Sequence, residues 1–365
     1  QIPGLHHLPG PGWEVELALD HGEIVAGERR QAIAEVELEL ISGPTAAVFA
    51  LAEHLAAALP CRILAQTKSE RGFLLADATP VLPVKARPPA LSAGTSVAAA
   101  FQTIASNCLE HLAVNDPALH GPDPAEAVHQ MRVAKRLQLA AVLSFQPLLS
   151  GQELTPLRDE LRWLLDHLGP VRDGDVFLAE IIAPVLEHHP DAPALIQVRQ
   201  EWQAQRDRDF TAALAAANEP RFTRLLLRLG HWVSAAEWRT AELAAAPIED
   251  FARKVLKRCH RRLLAAGGAN LAHLPTEELH QVRILGKQMR YAGEFFAGLY
   301  PRGQTKPYLA LLAELQENLG GLNDLAVAGP RLARAHHRGD WAWAAGLICG
   351  WHETRRPKLL QAAQT

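Results

Sequence analysis

Apolar residues alternate with carboxylates in two short stretches near the start of the chain; from Ser96 onward they recur at helical spacing almost without interruption. The alternating stretches, residues 13–19 (WEVELAL) and 34–40 (AEVELEL), have the period of two that predicts strands with one acidic and one buried face. His21-Gly22 and Gly27 are the expected turns between them. Residues 45–59 have helical spacing that stops at Pro60, and residues 62–75 read as a further short strand or two. Residues 1–78 therefore predict a small α+β piece. Residues 79–95 hold Pro80, Pro83, Pro88 and Pro89, a composition that resists helix and central strand alike and marks a linker. The remainder, 96–365, predicts successive helices punctuated at Gly and Pro, which makes the fold class mainly α.

The helical part is internally duplicated. VHQMRVAKR from Val128 and LHQVRILGK from Leu279 align at an offset of 151, and thirteen positions between 128 and 176 are identical at that offset without a gap. Phe145 falls on Phe296, Leu161 on Leu312, Leu168-Gly169 on Leu319-Gly320 and Asp173 on Asp324. Cys108 and Leu112 fall on Cys259 and Leu263, so the repeat includes the helix before each histidine. Two copies, about 96–246 and about 247–365, imply pseudo-two-fold symmetry, with a four-helix bundle as the natural packing of each. In each copy a basic helix precedes an apolar helix that is expected to end at Gly169 or Gly320, where a glycine can close the last turn.

Net charge is only −3, so any anion-binding surface must come from segregation of charge along the chain. Segregation is present. At about 100° per residue, His280, Arg283, Lys287 and Arg290 fall within an arc of about 80° on one helix face, and His129, Arg132 and Arg136, with Lys135 beside them, fill the corresponding region of the first copy. The preceding helix of the second copy adds Lys254, Lys257, Arg258 and Arg261 on one side. Residues 253–290 hold nine Lys or Arg against two Glu. Arg can fork two oxygens of a phosphate, Lys acts as a point charge and His donates a ring N–H, so the set suits closely spaced phosphoryl groups. The plainer reading, wet faces of surface helices, suits a single stripe better than one that recurs in both copies. The stripe has no interleaved exposed aromatics for stacking bases, which argues against nucleic acid as the partner.

The paired histidine motifs, each followed by an LGxxxD segment (LGPVRDGDV and LGGLNDLAV), resemble the CHAD family, the conserved-histidine α-helical domain, over residues 96–365. The resemblance implies two four-helix bundles around a basic groove and non-catalytic binding of inorganic polyphosphate or another phosphate polyanion. It carries the binding role onto His129, Arg132, Arg136, His280, Arg283, Lys287 and Arg290, and association with polyphosphate granules is the corresponding expectation. The chain departs from the pattern at Leu137 and Leu139, where such domains often have Arg. The helix before the first motif offers Thr103, Ser106, Asn107 and Glu110 in place of four cations, so binding is expected to lean on the second copy. Asp173 and Asp324 are expected to serve as structural turns or ion-pair partners.

AEVELELISG, the helix after it and TKSERGFLL resemble the second half of a CYTH domain, the triphosphate tunnel fold. That resemblance implies tunnel-lining roles for Glu14, Glu16, Glu35, Glu37, Glu39, Lys68 and Arg71, with Glu37 and Glu39 as relict metal candidates. The opening ExExK strand of that family is absent, and Ile41 stands where a Lys commonly follows the acidic strand. Half a tunnel cannot close around a substrate, so no catalytic residues, no resident metal and no cofactor are expected. The alternative is a metal-dependent triphosphate hydrolase completed by upstream sequence; a helical scaffold for proteins or nucleic acid is a third reading. A chain that starts at Gln1 leads to the expectation that such upstream sequence exists.

Other chemistry is thinly represented. No GxSxG, Walker or GxGxxG element occurs, and His6-His7, His188-His189 and His336-His337 lack zinc-site spacing. The four cysteines, Cys61, Cys108, Cys259 and Cys349, stand far apart, which suits a reducing cytoplasm. No apolar run reaches the roughly 18 residues of a membrane span, so no membrane partner is expected.

Overall fold

The computed structural model describes residues 5–149, 154–237, 241–268, 270–333 and 339–364, without the side chains of residues 5, 135–138, 154, 241, 333, 339 and 340. The alternating segments pair as an antiparallel meander of β1 (Leu5–Gly10), β2 (Trp13–Ala26) and β3 (Arg29–Ser42), in the order β1-β2-β3. Helices follow as α1 (Ala46–Ala58), α2 (Lys68–Ala76), α3 (Val97–Asn115), α4 (Pro124–Ser144), α5 (Leu154–Val176), α6 (Ala183–His188), α7 (Pro193–Asn218), α8 (Pro220–Ala235) and α9 (Ala241–Ala244). They continue as α10 (Ile248–Gly267), α11 (Thr276–Phe296), α12 (Arg302–Ala333), α13 (Gly339–Glu353) and α14 (Arg356–Gln364). The chain is mainly α with a small three-stranded N-terminal sheet, as its periodicity predicts.

Three local expectations are corrected. His21-Gly22 is not a turn: β2 runs through it, Gly22 pairing with Ile33, and the reversal falls at Gly27, whose φ of 63° is open to a residue without Cβ. Residues 68–76 are helix α2, not strand. Thr67 accepts from the Glu70 backbone N–H while Glu70 accepts from the Thr67 N–H, a reciprocal cap that satisfies two donors of the first turn. Neither Gly169 nor Gly320 ends its helix, since α5 and α12 continue to Val176 and Ala333. Buried Leu168 and Val171, and buried Leu319 and Leu322, prolong the i, i+3 apolar stripe across each glycine, and this burial outweighs the weak helix propensity of Gly.

The chain divides into two compact units. The first comprises residues 1–87, 98–168 and 212–245. In it α3, α4, α8 and the N-terminal part of α5 contribute Phe101, Ile104, Met131, Phe145, Leu164 and Trp232 to the buried interior. The Phe101 ring lies 5.3 Å from Phe145 and meets Trp232 edge-on at 5.7 Å. Proline-rich residues 79–87 carry neither helix nor strand and are pinned by fully buried Asn115: the Val84 N–H donates to Asn115 Oδ1 (2.8 Å), and Asn115 Nδ2 donates to the Val84 carbonyl (3.0 Å). The side-chain amide thus supplies the strand-like pairing that prolines leave unmade.

Helix α1 joins the sheet to α8. Glu53 Oε1 lies 2.9 Å from His231 Nδ1, and Gly230 admits the Phe49 ring so closely that a Cβ there would sit 2.2 Å from Phe49 Cε1. Gly230→Ala is accordingly expected to lower the stability of this unit by about 1–3 kcal/mol in urea denaturation, as over-packing does. An unchanged midpoint would mean that Phe49 is not seated there.

The second unit comprises residues 88–97, 169–211 and 246–365. One core gathers α10, α11, α12 and α14 around Leu263, Leu279, Val282, Met289, Leu312, Leu319 and Ala363. Another lies under α6, α7, α13 and the end of α12, with Phe177, Ile182, Val185, Leu195, Leu332, Trp341 and Ile348. Residues 177–182, between α5 and α6, are a π-helical segment, a rare form that occurs mostly as a single turn within α-helices.

Candidate functional site

Helix α11 carries the second copy's motif. Its apolar side is committed to the core through buried Leu279, Val282, Gly286 and Met289, which leaves the arc with His280, Arg283, Lys287 and Arg290 on another flank. Arg283, Lys287 and Arg290 are half-buried rather than freely solvated, and His280 is exposed. His280 Nδ1 lies 2.8 Å from Asn323 Oδ1 on α12, a contact that sets Nδ1 as the donor, and both residues line a cavity of about 300 Å³. Glu277, Leu279, Glu353 and Arg356 also line that cavity. Arg290 Nε lies 3.0 Å from Glu294 Oε1, so part of its charge is answered within its own helix.

The neighbouring α10 turns Ile248, Phe251, Ala252, Val255 and Leu263 inward. Its opposite side presents Lys254, Lys257 and Arg261 to solvent and Arg258 half-buried. The cations of α10 and α11 thus differ in environment: those of α10 are mostly wet and screened, those of α11 are set against other protein groups.

Neither aspartate of the two LGxxxD segments marks a turn, since both lie within helices, and Asp173 is an ion-pair partner. Asp173 Oδ2 accepts from Arg331 Nη2 at 3.1 Å, joining α5 to α12. Half-buried Asp324 lies on the part of α12 that faces Arg283 and Lys287. Burial pushes its carboxyl above the usual aspartate range, the Asn323 amide and the Arg283 and Lys287 charges oppose that, and the Asp173 charge adds to it. Glu180, in the π-helical segment, is also raised, by desolvation first and by the Asp324 charge next, against Arg172 and Arg355. Glu180 itself touches solvent, which screens the repulsion there, so half-buried Asp324 is the more strongly constrained of the two. Pattern reading missed Glu180, Arg331, Arg172 and Asn323. The ungapped register held the signal, because it sets Arg331 at the place of Glu180.

In the first unit, α4 carries the first copy's motif. His129 and Arg132 are half-buried, and Arg132 Nη1 donates to the Leu168 carbonyl at 3.3 Å. The side chains of Lys135 and Arg136 lie outside those described.

The N-terminal sheet places Glu14, Glu16, Asp20, Glu35, Glu37 and Glu39 on one face by register, Asp20 opposite Glu35 and Glu16 opposite Glu39. Helix α2 lies over that face with its two cations. Lys68 bonds Asp20 and Glu37, which hold its ammonium above the ordinary lysine range, and Arg71 bonds Glu35. Relict metal candidate Glu37 is thus engaged with Lys68. Glu39 is exposed, and its cross-strand neighbour Glu16 lies 3.5 Å from His7 Nε2. Among the described residues, no group of three or more His, Cys, Asp or Glu is placed to hold a metal ion.

Fold and site together define a class: a duplicated helical domain that gathers half-buried cations and their carboxylate partners along its motif helix. The chain belongs to the CHAD-domain family, whose model matches residues 103–333, and this family is linked to polyphosphate. The crystal structure of the CHAD domain from the plant Ricinus communis superposes with a TM-score of 0.66 at 34% identity, covering 77% of this chain and 95% of that one. An uncharacterized protein of Mycobacterium tuberculosis is 29% identical over 222 residues, 59% of this chain and 42% of the relative, so the chain spans less than half of that relative's length. The N-terminal part is similar to an inorganic triphosphatase of Haemophilus influenzae, 39% identical over 62 residues, 17% of this chain and 18% of that protein. No described helix is long and apolar enough to cross a membrane.

Proposed function

We propose that this chain binds inorganic polyphosphate without transforming it, through the basic face of α11 supplemented by α10. The observation that carries the reading is the row of half-buried cations on α11, Arg283, Lys287 and Arg290. At about 1.5 Å rise per residue they stand about 4.5–6 Å apart along the helix, a spacing suited to a chain of repeated negative charges rather than to one isolated anion. His280 stands at the N-terminal end of the row, and the exposed Lys254, Lys257 and Arg261 add a screened outer field that draws a polyanion in. His129, Arg132, Lys135 and Arg136 are the first copy's contribution.

Titration of the full chain with long-chain polyphosphate over a salt series tests this. The logarithm of the affinity is expected to fall linearly with the logarithm of salt concentration, as for any ligand that meets several cations at once. No detectable binding at low salt would remove the reading. Competition with duplex DNA adds a second check, because the reading requires polyphosphate to displace DNA from any shared surface.

The similarity to a triphosphatase favours a second reading, hydrolysis by the N-terminal segment. The two cations of α2, Lys68 and Arg71, are already answered by Asp20, Glu35 and Glu37, which supports an inert role for the segment in this chain. A flat time course of phosphate release from tripolyphosphate with Mg or Mn is expected, and sustained release would overturn the non-catalytic assignment.

A further inference from the structure

The two ring nitrogens of exposed His280 are not equally free. Nδ1 lies 2.8 Å from Asn323 Oδ1, while Nε2 makes no hydrogen bond among the described residues. The way round that the half-buried Asn323 amide sits decides which nitrogen carries the proton. Asn323 Nδ2 donates to Asp324 Oδ1 at 3.2 Å, and an ionised carboxylate only accepts, so the amide NH2 is held toward Asp324 and the amide oxygen toward His280. That oxygen in turn can only accept, which makes Nδ1 the donor. In the neutral ring Nε2 is then a bare lone pair.

A phosphoryl oxygen is also an acceptor, so neutral His280 has no proton to share with it. The imidazolium has a second N–H, at Nε2, and its charge makes the bond to a phosphoryl oxygen a strong one. The cavity wall beside His280 sharpens the contrast. Glu277 of α11 and Glu353 of α13 bring carboxylates, and Arg356 of α14 lies 3.5 Å from Glu353, so its charge is partly answered there. Asn323 comes from α12, and α10 contributes no residue to the wall. A neutral ring in that setting gives an anion no reason to settle, and a charged ring does. The register of the duplication puts Arg172 at the place of Asn323 and Asp173 at that of Asp324. A guanidinium has no acceptor, so the sequence of the first copy does not provide the same chain of hydrogen bonds.

We propose that Asn323, itself oriented by Asp324, is a positioning residue for His280: by holding Nδ1–H it confines the neutral ring to the tautomer that cannot donate from Nε2, so His280 engages a phosphoryl oxygen only as imidazolium, and polyphosphate binding at the second copy takes up a proton. The proposal rests on the polyphosphate reading of the α11 face. A phosphoryl oxygen bonded to the charged ring favours that form, so the ring holds its proton more tightly in the complex than in the free protein. The contribution of His280 to affinity is therefore complete below the titration of the free ring and is lost as pH rises through that of the bound ring, by up to about tenfold per pH unit for one linked proton.

Two measurements on the full chain test this. Nitrogen NMR of the imidazole rings at about pH 8, above the usual histidine range, is expected to show His280 as the Nδ1–H tautomer, and to show that preference lost in Asn323→Leu. Calorimetric titration with polyphosphate at constant ionic strength, from about pH 5.5 to about pH 8 in buffers of different ionisation enthalpy, counts the protons taken up. His280→Gln keeps a side-chain N–H donor that does not titrate, and is expected to take up fewer protons than the parent, by up to about one, with a flatter pH dependence. Titration of Asp324, Glu277, Glu353 and His129 is common to both proteins and cancels in the comparison. Asn323→Leu frees neutral His280 to donate from Nε2, and is expected to bind about threefold to tenfold tighter than the parent at about pH 8, the share of one neutral hydrogen bond, with reduced uptake. Loss of affinity in Asn323→Leu by one factor at every pH, with the parent's uptake, would leave Asn323 a merely structural part and overturn the proposal. An Nε2–H tautomer in the parent would overturn it too, and both results leave polyphosphate binding intact. Absence of binding by the parent at every pH would overturn the polyphosphate reading and the proposal with it.

Discussion

Phe145→Ala is expected to destabilise the first unit by about 3–5 kcal/mol, the usual cost of deleting a fully buried aromatic ring. Phe145 is 0% exposed and stands at the C-cap of α4, with its ring 5.3 Å from that of Phe101, itself edge-on to Trp232. Truncation removes both the transfer free energy of the ring and its partner on Phe101, and helices α3, α4 and α8 cannot all collapse into the space without giving up other contacts. The duplication supplies a parallel: Phe296, the counterpart in α11, is also 0% exposed, and Phe296→Ala is expected to have a loss of the same order in the second unit. Urea denaturation followed by helix circular dichroism measures both. Leu143→Ala, at a side chain 48% exposed, is the control and is expected to change stability by less than about 0.5 kcal/mol. A Phe145→Ala change as small as the control would show that the ring does not key the bundle.

The repeat was legible because identities fall where physics tolerates least change. Leu161 and Leu312, Leu168 and Leu319, and Phe145 and Phe296 are all buried, while His129 and His280, Arg132 and Arg283, and Asp173 and Asp324 carry the charge chemistry. Helix ends were less legible. Gly169 and Gly320 look like breakers by propensity, but a continuous buried stripe on either side keeps α5 and α12 intact. The start of α2 was written in the sequence as Thr67 followed three residues later by Glu70; the β-branched and aromatic content around it masked that cap. The partners of the basic face were the least legible. A helical projection groups Arg283 with Lys287 but is silent on what α12 and the π-helical segment bring opposite them, and Glu180 escaped because a Glu that replaces an Arg leaves no identity to align. The N-terminal sheet shows the same limit. Alternation predicted a buried face, yet among the described residues of the strands only Val15 is buried, and Leu19 and Val36 are 51% and 41% exposed.

The second large effect falls on binding. Arg283→Ala combined with Lys287→Ala is expected to weaken polyphosphate binding more than about a hundredfold, since each charge-assisted hydrogen bond is worth about 1.5–3 kcal/mol and two are removed. The environment of the pair is what makes this effect larger than those of neighbouring cations. Both side chains are half-buried on α11 opposite Asp324, so the double variant also leaves that carboxylate, already raised by burial, without its two opposing charges. Lys254 and Lys257 on α10 are exposed and salt-screened, and removing both is expected to cost less than about tenfold, mainly at low salt. Arg290, whose charge is shared with Glu294, is expected to fall between the two. Filter binding or calorimetry with polyphosphate of one chain length ranks the three variants, and thermal melts confirm that each is folded. The ranking itself is diagnostic. If the α10 variant lost as much as the α11 variant, binding would be a diffuse response to net positive surface and the half-buried row would have no special part in it. If only the α11 variant lost affinity, the contact would run along Arg283 and Lys287, where a half-buried cation meets the phosphoryl oxygens with little screening from solvent.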